Sequence, residues 1–203
     1  MVSLLRRRAM MVQAASGGLP PGYIQVEYIA NVIGEETQID TGIVPANTCT
    51  VIDYKFDEYN SPAFLAVGKD ESGQRYRVLY KQSTAYLAWY LHSSTARSAQ
   101  QAINKNRHTI IYNNEGGQVI YDNTVKATNS GFDCTGGNTT VKVFTPNAAL
   151  RIYGMTMTDN SNGTLLRNFI PCYKTADGEA GLYDTVSGNF FGNINGTGTI
   201  VYG

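Results

Sequence analysis

Charge is scarce in this chain: Asp, Glu, Lys and Arg make up only 16% of 203 residues, too little to supply the polar stripe of long solvent-facing helices. Cysteine is sparse too. Cys49, Cys134 and Cys172 are widely spaced and odd in number, so no closed disulfide framework accounts for all of them; reduced, partly buried thiols are expected. With no C-x-x-C spacing and only His92 and His108 as imidazoles, no metal site is expected, and no cofactor.

Long apolar runs are missing as well. No stretch approaches the roughly 18 residues of a membrane helix. The patch Ala9-Met10-Met11-Val12 behind Arg6, Arg7 and Arg8 is broken by Gln13, short of the about 7–15 residues of a signal-peptide core. The expectation is a soluble protein with no membrane partner.

The motifs of catalysis are absent in the same way. Sandwich glycosidases need carboxylates at alternating positions of one strand, because acid and nucleophile flank a single bond. Here the acid pairs Asp57-Glu58, Asp70-Glu71 and Asp177 with Glu179 fall at turns or strand ends, where they read as solvated turn acids. No G-x-S-x-G elbow occurs, and His108, in Asn106-Arg107-His108-Thr109-Ile110, reads as a surface or edge histidine. Asp159-Asn160-Ser161-Asn162-Gly163 lacks the spaced oxygen ligands of a calcium loop and reads as a hairpin turn. The asparagines that open N-x-T sequons, Asn138, Asn162 and Asn195, also read as turn residues. No enzyme is expected.

What the chain does have is tyrosine and glycine, 14 and 21 residues respectively, the composition of strands joined by tight turns. Apolar and polar residues alternate with period two. Ile24, Val26 and Tyr28 lie against Gln25 and Glu27, and Thr50, Ile52, Tyr54 and Phe56 against Asp53, Lys55 and Asp57. Arg75 to Lys81 repeats the pattern. Further strands are predicted at 62–68, 84–91, 107–113, 117–122, 139–145, 149–158, 164–174, 180–184, 189–192 and 199–202, with room for a helical turn only at 94–104. So many short strands predict an all-β fold, two antiparallel sheets packed as a jelly-roll sandwich.

Formal net charge is zero, but it is unevenly placed. Arg6, Arg7 and Arg8 are the only charged residues in 1–22, leaving thirteen basic against sixteen acidic residues in the rest. The body therefore lacks the basic surface of a nucleic-acid binder, and no nucleic-acid partner is expected. Ala14 to Gly22 is small, Gly-rich and then Pro-stiffened, so residues 1–22 read as a basic extended arm and linker and 23–203 as one sandwich domain.

Two stretches carry a resemblance. Gly22-Tyr23-Ile24-Gln25-Val26-Glu27-Tyr28-Ile29, followed by Gln38-Ile39-Asp40-Thr41-Gly42-Ile43, resembles the "YQEVEYIES…QYIDTG" opening of LamG-like, concanavalin-like sandwich domains of gut-bacterial and phage proteins. Leu150-Arg151-Ile152-Tyr153 through Leu166-Arg167-Asn168-Phe169-Ile170-Pro171-Cys172-Tyr173-Lys174 to Asp177-Gly178-Glu179-Ala180-Gly181-Leu182-Tyr183-Asp184 resembles the family's closing "LVRDFIPCYR…DGEIGLYD" block. The two blocks bracket the body, and residues 60–140 lie outside the resemblance. Leu4-Leu5-Arg6-Arg7-Arg8-Ala9-Met10-Met11 resembles the "LLRRRMMM" leaders of virion proteins of Bacteroidales phages, crAss-like ones included.

The resemblance implies a concanavalin-like sandwich in a virion, a capsid-decorating or head-fibre component or a tail component, with other virion subunits as partners and a homo-oligomeric state. The arm, with too little apolar mass to fold unaided, is expected to dock on a neighbour. Arg6, Arg7 and Arg8 would pair with acidic groups while Leu4, Leu5, Met10 and Met11 fill an apolar groove. The alternative is a carbohydrate-binding module for host or mucosal glycans, with Tyr86, Trp89 and Tyr90 as candidate stacking residues. Alternation puts Trp89 on one strand face and Tyr86 and Tyr90 on the other, so one set belongs to the core.

Overall fold

The computed structural model of the chain describes residues 18–44, 47–59, 66–69, 75–81, 87–93, 97–99, 104–114, 118–128 and 140–203; the side chains within 66–99, and those of Asn113, Asn114 and Ala127, lie outside the description. Among the described residues there is no helix. The strands are β1 (Tyr23–Gln25), β2 (Ile29–Asn31), β3 (Ile39–Asp40), β4 (Thr48–Tyr59), β5 (Ala66–Lys69), β6 (Arg75–Lys81), β7 (Leu87–Ser93), β8 (Arg97–Ala99) and β9 (Arg107–Asn114). They continue with β10 (Gln118–Tyr121), β11 (Thr124–Thr128), β12 (Lys142–Val143), β13 (Ala148–Asp159), β14 (Leu165–Lys174), β15 (Ala180–Asp184), β16 (Asn189–Phe191) and β17 (Ile200–Tyr202).

They form a large antiparallel sheet, ordered β11-β10-β9-β4-β13-β14-β15-β16, and a smaller one, ordered β3-β12-β5-β6-β7-β8. Ile52, Tyr54 and Phe56 of β4, Ile110 and Tyr112 of β9, and Leu150, Ile152, Met155 and Met157 of β13 share one core with Ile39, Val141, Val143 and Phe144 from the smaller sheet and its flanks. The alternation read in β4 holds: Thr50, Ile52, Tyr54 and Phe56 are buried while Asp53, Lys55 and Asp57 are partly exposed. In β13 the inward positions change parity after Ile152, because the register with β4 shifts between Ile152 and Gly154. A bulge there turns Met155 and Met157 to the same face as Leu150 and Ile152. Cys49, Val51, Ile111 and Ile120 make a second buried cluster, so the middle of the large sheet is apolar on both faces.

Several expectations are corrected. Residues 97–99 of the segment given a helical turn form β8, paired with β7 through Leu87 and Ala99; a free ladder edge overrides the helix propensity of Ala and Gln. The strand expected at 139–145 is reduced to Lys142–Val143, because Phe144 turns to φ 71° and leaves the ladder to bury its ring. β11 was not foreseen. It follows a two-residue turn in which Asp122 and Asn123 both adopt positive φ, the geometry that matches hairpin twist, and its one large apolar side chain, Val125, is 51% exposed.

Ile24, expected inward, is exposed. Pro171 sits neither on an edge strand nor at a bulge, since β14 pairs with β15 without a register shift through it. Its carbonyl accepts the Val26 N–H at 3.0 Å, so the missing N–H points to the same side, where the neighbour of β14 changes from β13 to β1. The β13 ladder has ended at Phe169 and the β1 ladder begins at Cys172, so the proline interrupts neither.

Cys49 and Cys172 are buried, and burial pushes the Cys172 thiol up to about 11. The thiolate is the reactive form. Both are therefore expected to resist iodoacetamide at neutral pH until the protein unfolds; labelling of either in the native state, read by mass spectrometry, would contradict this packing.

Candidate functional site

The β14–β15 connection is a turn built on Asp177-Gly178. Gly178 adopts φ 75° and donates its N–H to the Lys174 carbonyl at 2.9 Å. One Asp177 carboxylate oxygen accepts the Glu179 N–H at 3.0 Å, which fixes that carboxylate and leaves its second oxygen available for a further hydrogen bond. The Glu179 carboxylate pairs with the Lys174 ammonium, and that hydrogen bond raises the lysine pKa. Glu179 also lies over Gly192: a Cβ there would come within 2.1 Å of Oε1, so residue 192 has to be glycine for the carboxylate to rest where it does.

Opposite stands the loop from β16 to β17. Asn193 organises it with both ends of its amide: Oδ1 accepts the N–H groups of Gln38 at 3.0 Å and Asn195 at 3.1 Å, and Nδ2 donates to the Gly198 carbonyl at 2.8 Å. The Glu35 carboxylate accepts the Thr199 N–H at 2.6 Å. Gly198 is packed from behind, since a Cβ would lie 2.2 Å from the Thr37 hydroxyl and 2.9 Å from the Glu36 backbone. The loop is thus held by side chain to backbone bonds within itself and to the 35–38 segment.

Between turn and loop opens a cleft of about 370 Å³, lined by Asp177, Glu179, Ala180, Asn193, Thr199 and Ile200 together with glycine backbone. Ala180 is buried and belongs to the core, and Ile200 packs against it. The floor is therefore apolar and the rim carries carboxylates, an amide, a hydroxyl and exposed peptide groups. Chemically this is a fixed array of hydrogen-bond acceptors and donors over an apolar base, suited to holding a small polar ligand.

Two other polar constellations are saturated by their own partners. On the large sheet Arg107 makes two bonds to Asp53, at 2.9 and 2.7 Å, which raise its pKa, and stacks 3.9 Å from the Tyr153 ring centroid. Arg151 pairs with Asp57 and lies 4.2 Å from the Tyr28 ring centroid. These cations are neutralised and stacked, a brace between strands.

His108 is the second, and it corrects the reading of a surface histidine. It shares the inward parity of Ile110 and Tyr112 on β9 and is 9% exposed. Its Nδ1 lies 2.6 Å from Asp122 and its Nε2 2.8 Å from Oδ1 of Asn104. That amide oxygen also accepts the Asn106 N–H at 2.7 Å, so both ring nitrogens are engaged by the protein's own side chains. The neighbouring Tyr121 is pushed up to about 12, chiefly by burial.

Of the residues singled out in the sequence, Leu4, Leu5, Arg6, Arg7, Arg8, Met10, Met11 and Tyr86 lie outside the described residues. Trp89 and Tyr90 fall in β7, where their backbones pair with Val78 and Arg77, and their side chains lie outside the description. They belong to the smaller sheet, whereas the cleft is formed at the β14–β17 end of the larger one. The cleft itself was missed. Its sequence signal is the run Gly192-Asn193-Ile194-Asn195-Gly196-Thr197-Gly198-Thr199, which marks a loop but not the turn it faces. No protein-family model matches this chain, and no curated protein aligns with it.

Proposed function

We propose that the chain is a phage virion structural protein, a capsid-decorating or head-fibre component, in which residues 1–22 are the anchor and a concanavalin-like jelly-roll sandwich is displayed. The reading rests on the resemblance of both ends of the body to LamG-like domains and of Leu4 to Met11 to virion leaders. The observation that carries it is how the body closes. β1 pairs with β14 at one seam of the large sheet and β17 with β2, and the Gly203 carbonyl accepts the N–H groups of Glu27 and Tyr28 at 2.8 and 3.1 Å.

Among the described residues every strand of the two sheets lies from Tyr23 onward, which supports reading residues 1–22 as an arm attached to the body. Deleting residues 2–18 is expected to leave the thermal melt of the body unchanged and to abolish incorporation into particles. Incorporation at the normal level would overturn the anchoring role.

The cleft favours a second reading, a carbohydrate-binding module that contacts host or mucosal glycans. The two are compatible, since a displayed sandwich gains function from what it touches.

A further inference from the structure

We infer that the cleft between the Lys174–Ala180 turn and the 192–199 loop is a saccharide site that takes a neutral sugar, with the second carboxylate oxygen of Asp177 as its principal acceptor. This rests on the glycan-binding reading and names its site and ligand class.

Four features of the cleft point to that class. Its volume, about 370 Å³, stands at the small end of the about 300–1,000 Å³ typical of ligand sites, a size for one or two sugar rings rather than a peptide. Its floor, Ala180 and Ile200, offers apolar contact to the C–H face of a ring, while the rim offers hydrogen bonds to its hydroxyls. A purely apolar ligand would desolvate Asp177 and Glu179 without replacing their water. An anionic one would meet two carboxylates at once against a single cation, Lys174, which pairs with Glu179 and also feels the Asp177 charge.

The site is also pre-organised. Asp177 is fixed by the Glu179 N–H, and the opposite wall by Asn193 and Glu35. Little ordering remains for a ligand to impose, which is what a small polar ligand needs in order to bind at all. Gly178, Gly196 and Gly198 leave peptide groups accessible at the rim.

The test uses the full chain on an array of neutral oligosaccharides and their sialylated and sulfated counterparts, with Asp177→Ala, Asp177→Asn, Trp89→Ala and Tyr90→Ala beside it. Asp177→Asn keeps an oxygen for the Glu179 N–H, so it reports on the site even if the alanine variant loosens the turn. The expected result is binding of neutral glycans, weakened about tenfold or more by both Asp177 variants, the scale of a lost charge-assisted hydrogen bond, and untouched by the β7 variants. Binding that survives both Asp177 variants but is lost in Trp89→Ala or Tyr90→Ala overturns this site and leaves the glycan reading standing. A preference for acidic glycans overturns the ligand class, and no binding to any glycan overturns site and reading together.

Discussion

Replacing Asn31 with alanine is expected to destabilise the protein by about 3 kcal/mol, three buried backbone groups losing their partner at roughly 1 kcal/mol each. Asn31 is 2% exposed and its amide is fully used. Nδ2 donates to the carbonyls of Thr145 and Ala148 at 3.0 and 2.7 Å, and Oδ1 accepts the Leu150 N–H at 3.0 Å. These bonds close the connection from β12 into β13, the passage between the two sheets, on a residue more than a hundred positions away in sequence. Asn31→Asp is expected to cost more, because a carboxylate in that place faces two carbonyl oxygens. Urea unfolding followed by tyrosine fluorescence reads both, and in a domain of this size the alanine variant should melt lower by roughly 10 °C. A shift near zero would mean that water or a neighbour replaces the amide, and that the sheet crossing is not held by this side chain.

Asn31 also shows where sequence reasoning stopped. The pattern Thr50, Ile52, Tyr54, Phe56 identified β4 and its inward face, because one face of that strand meets the core and the other carries Asp53, Lys55 and Asp57. Asn31 follows Ile29 and Ala30 in a three-residue strand that is buried throughout, where no alternation exists to read. A buried asparagine is legible only once its partners, at 145–150, have been brought beside it. Phe144 is similar: the run Val141 to Thr145 reads as one strand, and only the positive φ at Phe144 shows that burying its ring outweighed continuing the ladder.

The candidate site divided in the same way. Asp177 and Glu179 were recognisable as turn acids, and they do sit at the β14–β15 turn. What makes them walls of a cleft is the loop that Asn193 folds opposite them, and that loop is pinned to Gln38 and Glu35 from the far end of the chain. His108 misled for a related reason. Between Arg107 and Thr109 it looks like part of a polar strand end, but β9 alternates, and the residue two before Ile110 inherits the inward face. The acceptors that make burial tolerable, Asp122 and Asn104, come from the next turn and the preceding loop. Tyr86, Trp89 and Tyr90 drew attention as an aromatic cluster, and their side chains lie outside the described residues; the cleft is bordered by small residues, which carry no comparable signal.

Asp184→Ala is expected to be the most damaging single substitution in the body, at about 4 kcal/mol, since hydrogen bonds to a charged acceptor are worth more than neutral ones and all are lost together. The carboxylate is fully buried. Oδ1 accepts the N–H groups of Asn168 at 2.7 Å and Val186 at 3.1 Å, and Oδ2 that of Ser187 at 3.1 Å, with the Arg167 guanidinium 3.6 Å away. One side chain thus caps the β15–β16 turn, which Gly188 closes at φ 73°, and ties it to β14. Arg167 carries the connection onward by donating to the Thr41 carbonyl at 3.1 Å. Asp184→Asn keeps one oxygen but sets an NH2 group against a backbone donor, so about half the loss is expected. Arg167→Ala in the Asp184→Ala background is expected to add less than it costs alone, because the partner it neutralises is already gone. Full additivity in that double-mutant cycle would show that the arginine serves Thr41 and the Phe191 ring, 5.7 Å from its guanidinium, independently of the buried acid.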